Sequence, residues 1–275
     1  MRLVDSHCHL QSDRFDNDVE AVVEAAVAAG IERLLVPGWD LASSHGALAL
    51  VERFPWLDAA VGIHPHDAAR AGAGDWLEVE RLARDSRVVA IGETGLDYDR
   101  AFSPIADQLA NLRRHLRLAL ETGKPAILHV RSPAGRRDAQ DALLAELEAV
   151  GFGAAAVGAT FADRPPAVIH SFSGPVDYAR AVLDLGLAIS ISGLAFRAGE
   201  EATAEVVGIV PADRLLVETD SPFLNPPGGP KRRNEPAAVA ITAAWVGERR
   251  EPAVTSFVEA YDVTFPRLTA RASRT

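Results

Sequence analysis

The chain has 275 residues, 48% hydrophobic and 24% charged, enough for one large domain with a full core or for two small ones. A net charge of −10 argues against a chain-wide electrostatic grip on nucleic acid, but leaves room for a local basic groove or for charge supplied by bound cations. The lone cysteine, Cys8, excludes a disulfide framework; with no bilayer-length apolar run and no secretory-type leader, a cytoplasmic, non-membrane protein is expected.

In chain order, short apolar strand-like runs alternate with amphipathic helical stretches. A strand at Leu3–Ser6 leads to a helix over 16–29 that Gly30 ends, and a strand at Arg33–Pro37 to a helix over 43–53. Trp56–Ile63 is followed by a helix over 75–84, and Val88–Glu93 by a helix that Ser103-Pro104 opens. That helix carries Ile105, Leu109, Leu112, Leu116 and Leu120 at spacings of three and four, one apolar stripe. Strands at Ala126–Val130, Ala167–Ser171, Leu187–Ser192 and Leu215–Thr219 complete the set. Helices are expected over 138–150, from Pro175, and over 235–248 and 252–263. The segment 152–166 reads as an elaborated connection.

Strict β-α alternation implies parallel strands with crossover helices, and eight units in this length imply a TIM (β/α)₈ barrel, an α/β fold. A doubly wound open sheet is the alternative, disfavoured because no glycine-rich phosphate loop follows the first strand. One domain is expected over 1–265, with a tail at 266–275.

Reactive residues recur at the C-terminal strand ends, where barrel sites form. His7 and His9 alternate with Cys8, so both imidazoles face one side of the first strand end and form a metal pincer. Glu93 ends strand four, His129 lies near the end of strand five, His170 ends strand six and Asp220 ends strand eight. Four imidazoles and two carboxylates exceed one tetrahedral site, so two divalent ions are expected. Such a pair needs a bridge. The only lysines are Lys124, before strand five at the wrong end, and Lys231, beyond strand eight, so the bridge is Glu93.

His64, after strand three, is expected to touch substrate, and Arg131, two residues beyond His129, to fork onto phosphate oxygens. His66 reads as a loop residue, His45 and His115 as ordinary helix residues, and Cys8 as packing. Asp97 and Asp99 are read as orienting ligands or as capping the next turn; Glu218 is read as supporting a ligand or as a buried structural pair. The run Lys231-Arg232-Arg233 can contact a polyanion.

These residues sit in the motifs Asp5-Ser6-His7-Cys8-His9, Gly62-Ile63-His64-Pro65, Gly92-Glu93-Thr94-Gly95-Leu96-Asp97-Tyr98, His129-Val130-Arg131, His170-Ser171-Phe172-Ser173-Gly174, Glu218-Thr219-Asp220-Ser221-Pro222 and Arg233-Asn234-Glu235-Pro236. Through them the chain resembles the TatD-type metal-dependent hydrolases of the amidohydrolase superfamily, from about Leu3 to Phe265. The resemblance implies one metal on His7, His9, Glu93 and Asp220, and a second on Glu93, His129 and His170. It also implies Mg²⁺-, Mn²⁺- or Zn²⁺-supported DNase activity, often 3′→5′ on single strands. In such a two-metal phosphodiesterase Asp220 is expected to take the proton of the attacking water. The partner implied is nucleic acid, with no obligatory protein partner evident. The chain departs from many such proteins in having Ser132-Pro133 where an acidic residue follows the strand-five arginine. Hydrolysis of a carboxylic ester or amide, such as a misacylated tRNA, by the same two ions is the alternative.

Overall fold

A computed structural model describes residues 1–162 and 164–267. Among them, eight strands alternate with helices in one parallel sheet whose spatial order equals its chain order. The strands are β1 (Leu3–Asp5), β2 (Ile31–Pro37), β3 (Leu57–Val61), β4 (Val88–Asp97), β5 (Ala126–Arg131), β6 (Ala167–Ile169), β7 (Ala188–Ile191) and β8 (Leu215–Val217). The helices are α1 (Val19–Ala28), α2 (Leu41–Arg53), α3 (Ala73–Leu82), α4 (Ile105–Thr122), α5 (Asp138–Val150), α6 (Ala155–Phe161), α7 (Val176–Asp184), α8 (Thr203–Ile209), α9 (Val239–Gly247) and α10 (Val258–Thr264). This is a TIM barrel. β1, β3 and β4 are buried along their full length, as parallel strands covered on both faces must be.

The sheet closes on itself just past the strand ends. Ser6 N–H donates to Val217 O at 3.0 Å, Asp220 N–H to His7 O at 2.8 Å, and His9 N–H to Ser221 O at 2.7 Å. Buried Asp5 clamps the same seam, accepting Thr219 N–H at 2.9 Å and Thr219 Oγ1–H at 2.6 Å. The seam therefore carries His7, His9 and Asp220 together.

Two expectations shift. β4 does not end at Glu93 but runs on to Asp97, and its register against β5 slips between Ile91 and Thr94, where Gly92 and Glu93 face Ile127 alone. This bulge turns Glu93 out of the ladder, and its N–H donates instead to Gly38 O at 2.8 Å. Glycine is required nearby: a Cβ on Gly95 (φ +144°) would lie 1.9 Å from His129 O. The segment between β7 and β8, to which the sequence pattern assigns no element, contains α8. The segment 252–257 is not helical, since α10 begins at Val258.

The apolar stripe of α4 is also displaced. Ile105 is 46% exposed, and the buried face includes Gln108, Asn111 and His115 beside Leu112 and Leu116. The reason is that α4 holds the ends of β3 and β4 by side-chain hydrogen bonds. Gln108 accepts Asp97 N–H at 2.8 Å, Asn111 Nδ2 donates to Ile63 O at 2.7 Å, and His115 Nε2 accepts Ile63 N–H at 2.9 Å. Ser103 does not cap the helix; its hydroxyl donates to His66 O at 2.8 Å, and Pro104 stands at the N-cap.

His115 is thus a structural post rather than an ordinary helix residue, and burial lowers its pKa to about 4. Above pH 6.5 it is neutral folded and unfolded; between pH 6.5 and 4 only the unfolded chain binds the proton, so stability falls with pH across that window. The expected loss from this group is about 2 kcal/mol between pH 7 and 5. Guanidinium unfolding at both pH values checks it, and this share should vanish in His115→Gln.

Arg267, in the expected tail, donates Nε to buried Asp58 Oδ1 at 2.9 Å; 268–275 lies outside the described residues. Among the described residues no single helix is long and apolar enough to cross a membrane.

Candidate metal centre

The C-terminal strand ends open into a cavity of about 910 Å³ lined by His9, His64, Glu93, His129, His170 and Asp220, among others. His7 lies beneath it, fully buried. All six residues expected to hold metal are therefore within one cluster, and Glu93 is its hub. Its Oε2 lies 3.3 Å from His7 Nε2 and 3.6 Å from His9 Nε2. Its Oε1 lies 3.2 Å from His129 Nδ1, 2.9 Å from His170 Nε2 and 3.3 Å from His64 Nε2. Asp220 Oδ1 stands 3.5 Å from His9 Nε2 and 3.8 Å from His7 Nε2. Asp220 is held at φ +54°, a left-handed backbone that aspartate tolerates better than most residues.

The remote ring nitrogens decide which way each lone pair points. His9 Nδ1 faces Pro37 O at 3.3 Å, His129 Nε2 faces Asp97 Oδ2 at 3.3 Å, and His170 Nδ1 faces Glu218 Oε1 at 3.2 Å. Each of those acceptors takes the ring N–H, leaving the other nitrogen's lone pair aimed at the centre. His64 is the opposite case. Its Nδ1 accepts His66 N–H at 3.1 Å, so Nε2 carries the proton and donates toward Glu93 Oε1. His64, Glu93 and His129 do bring one polar atom each within 4.8 Å, but a protonated Nε2 cannot ligate a cation.

The donor set fits divalent ions. His7 Nε2 and His9 Nε2 lie 3.2 Å apart, close to the edge of a tetrahedron, about 3.3 Å when metal–nitrogen distances are about 2.0–2.1 Å. Buried His7 Nδ1 has no hydrogen-bond partner among the described residues, so this ring is engaged only through Nε2, the nitrogen that faces His9 and Glu93. Imidazole and carboxylate donors accept Zn²⁺, Mn²⁺ and related ions.

Electrostatics follow the same geometry. Burial would raise the Glu93 carboxyl, but His170, His64, His7 and the His129 contact hold it well below the usual carboxylate range. Burial would lower His170, yet Glu93 and Glu218 raise it well above the usual imidazole value. Burial also opposes His129 and His9, which their carboxylate partners raise nonetheless. Burial lowers His64 to about 4, so it stays neutral at physiological pH. Protons and divalent ions compete for the same lone pairs, so metal affinity should rise with pH.

Supporting residues that the sequence left open are now defined. Glu218, fully buried and held down to about 2, accepts Ser171 N–H at 2.7 Å and Ser171 Oγ–H at 2.8 Å besides facing His170. Asp97 both orients and caps: Oδ2 faces His129 and His66, the latter at 2.8 Å, and Oδ1 accepts Asp99 N–H and Arg100 N–H. His66 is therefore more than a loop residue. Nothing in its Pro-flanked setting pointed to a partner 31 residues away. Arg131 lines the cavity, half exposed, with Nε 2.9 Å from Asp99 Oδ2. Ser132 donates to Gln140 at 2.6 Å and accepts Ala139 N–H at 2.9 Å, tying down the start of α5. Arg233 leaves the basic run, pairing with Asp18 at 2.7 Å under the Phe15 ring. Cys8 is buried, and burial raises its thiol.

Loosening an orienting carboxylate should weaken the centre without dismantling it. Glu218→Gln is expected to lower affinity for Zn²⁺ or Mn²⁺ about 10- to 100-fold, as read by titration calorimetry on the metal-stripped protein.

The comparisons agree with this architecture. A family model described as TatD related DNase matches residues 4–268. The metal-dependent hydrolase YabD of Bacillus subtilis is 35% identical over 249 residues, covering 90% of this chain and 91% of its own. The 3′-5′ ssDNA/RNA exonuclease TatD of Klebsiella pneumoniae is 36% identical over 259 residues, covering 90% and 92%. The crystal structure of YjjV, a TatD homologue from Escherichia coli, superposes with a TM-score of 0.82 at 27% identity, covering 96% of this chain and 98% of that one. Fold, motif set and relatives converge: the chain belongs to the TatD-related DNase family of metal-dependent hydrolases.

Proposed function

We propose that the protein is a two-metal phosphodiesterase that shortens single-stranded DNA, and RNA as a second substrate, from the 3′ end. The observation that carries this reading is the division of labour on Glu93, whose two oxygens face two separate sets of lone pairs. His7, His9 and Asp220 would hold one divalent ion with Glu93, and His129 and His170 the other. Mg²⁺, Mn²⁺ or Zn²⁺ bound there would lower the pKa of a water and offset charge on the attacked phosphoryl oxygens. The relatives named as exonucleases supply the substrate class.

The chain's own residues then have distinct tasks. Asp220, on the cavity wall, accepts the proton of the attacking water. Neutral His64 presents an N–H toward the position where a phosphoryl oxygen would lie against Glu93. Arg131 exchanges its Asp99 contact for a substrate phosphate, a point charge traded for a forked one. Asp97 and Glu218 keep His129 and His170 in the tautomers this arrangement needs. A cytoplasmic site of action accords with the single, buried cysteine.

The test is an end-labelled single-stranded oligonucleotide incubated with Mg²⁺, Mn²⁺ or Zn²⁺ and with an EDTA control. Progressive loss of 3′ nucleotides that EDTA stops is the expected result. No shortening with any ion, together with turnover of an aminoacyl-tRNA ester, would transfer the same centre to carbonyl chemistry.

A further inference from the structure

Among the described residues, only two aromatic side chains are largely exposed, Phe102 at 66% and Phe223 at 52%, and both line the cavity of the donor cluster. The exposed large aliphatic side chains do not. Scattered exposed hydrophobics are ordinary; two exposed rings meeting at one polar cavity are not.

Their placement is paired. The Phe223 centroid lies 6.2 Å from the His9 ring, beside the His7/His9 half of the centre. The Phe102 centroid lies 4.7 Å from the His66 ring, which is 6.0 Å from His129, beside the other half. Both rings ride on pinned backbone. Phe223 N–H donates to Asp220 O at 2.8 Å, and Ser103, next to Phe102, donates to His66 O and accepts Ala69 N–H at 3.1 Å. Each exposed ring is therefore held to a residue of the site itself. Two cations, Arg100 and Arg197, also line the cavity and form no ion pair among the described residues. Exposed rings and unpaired cations lining one cavity match a ligand that alternates flat π-faces with anions.

We propose that Phe102 and Phe223 are stacking platforms for the two nucleobases that flank the scissile phosphate. The site then reads one dinucleotide step of unpaired strand, because a base stacked on a protein ring has left its own stack. This inference rests on the phosphodiesterase reading and adds the determinant of its single-strand preference.

The experiment compares wild type with Phe102→Ala, Phe223→Ala and the Phe→Trp variants on two strands. One is an ordinary single-stranded oligonucleotide; the other has abasic tetrahydrofuran units in place of its last two nucleosides. Each alanine variant is expected to raise KM about tenfold on the ordinary strand, the equivalent of one lost base stack. Wild type should lose both stacks on the abasic strand, about a hundredfold, where it and the variants converge, and Trp should restore the ordinary strand. A second readout is the quenching of 2-aminopurine in the last two positions of a phosphorothioate-linked strand. Quenching by wild type that each alanine variant loses supports stacking. Unchanged KM on the ordinary strand, or equal losses on both strands, overturns the proposal. If wild type cleaves no oligonucleotide, the phosphodiesterase reading falls, and the quenching still decides stacking. Quenching that survives both alanine variants, or no binding at all, overturns it.

Discussion

Glu93→Gln is expected to lower metal-dependent turnover by on the order of 10³-fold or more. Loss of one preorganised neutral donor already costs about 10²–10³ in comparable sites, and Glu93 is a charged group shared by both halves. The amide keeps the shape of the side chain but presents one oxygen instead of two, so metal stoichiometry should drop to one or none by calorimetry. A second signature follows from linkage. His170 and His129 are raised by Glu93, so the metal-free protein gains stability from them that is full below their unfolded pKa and lost as pH rises through the folded one. In the Gln variant that acid-side gain should shrink. Full turnover, or two ions still bound, would remove Glu93 from the role of bridge.

Asp220→Asn is expected to separate chemistry from binding. The amide oxygen can still face His7 and His9, so metal content should be nearly retained, but the side chain no longer accepts a proton. Turnover should fall about 10²- to 10⁴-fold with little change in KM, the range for loss of a general base. The kcat/KM split on an oligonucleotide, read beside metal analysis of the same sample, distinguishes this from a plain ligand loss. A variant that turns over at the wild-type rate would leave the attacking water without its base here.

Much of the centre could be read from residue type and spacing, for local reasons. A strand alternates faces every two residues, so His7-Cys8-His9 declares two imidazoles on one side without any fold in hand. The β-α alternation declares a parallel barrel, and a barrel declares which strand ends gather. With only two lysines, neither at a strand's C-terminal end, the chain has no lysine to serve as a bridge.

What local pattern cannot carry is the identity of a distant partner. The tautomer of His170 depends on Glu218, 48 residues away, and that of His129 on Asp97, 32 away. His66 and His115 read as unremarkable because their partners belong to other strands. The bulge that turns Glu93 inward is a mismatch between two strands and has no meaning in either alone. Residue type and spacing were enough to mark the candidate donors and to name the barrel that gathers them. Which nitrogen of each ring faces the centre, why His64 donates where the others present lone pairs, and that two exposed phenylalanines meet at the same mouth come from the folded chain alone. Those are properties of pairs brought together across the barrel, and they come into being when it closes.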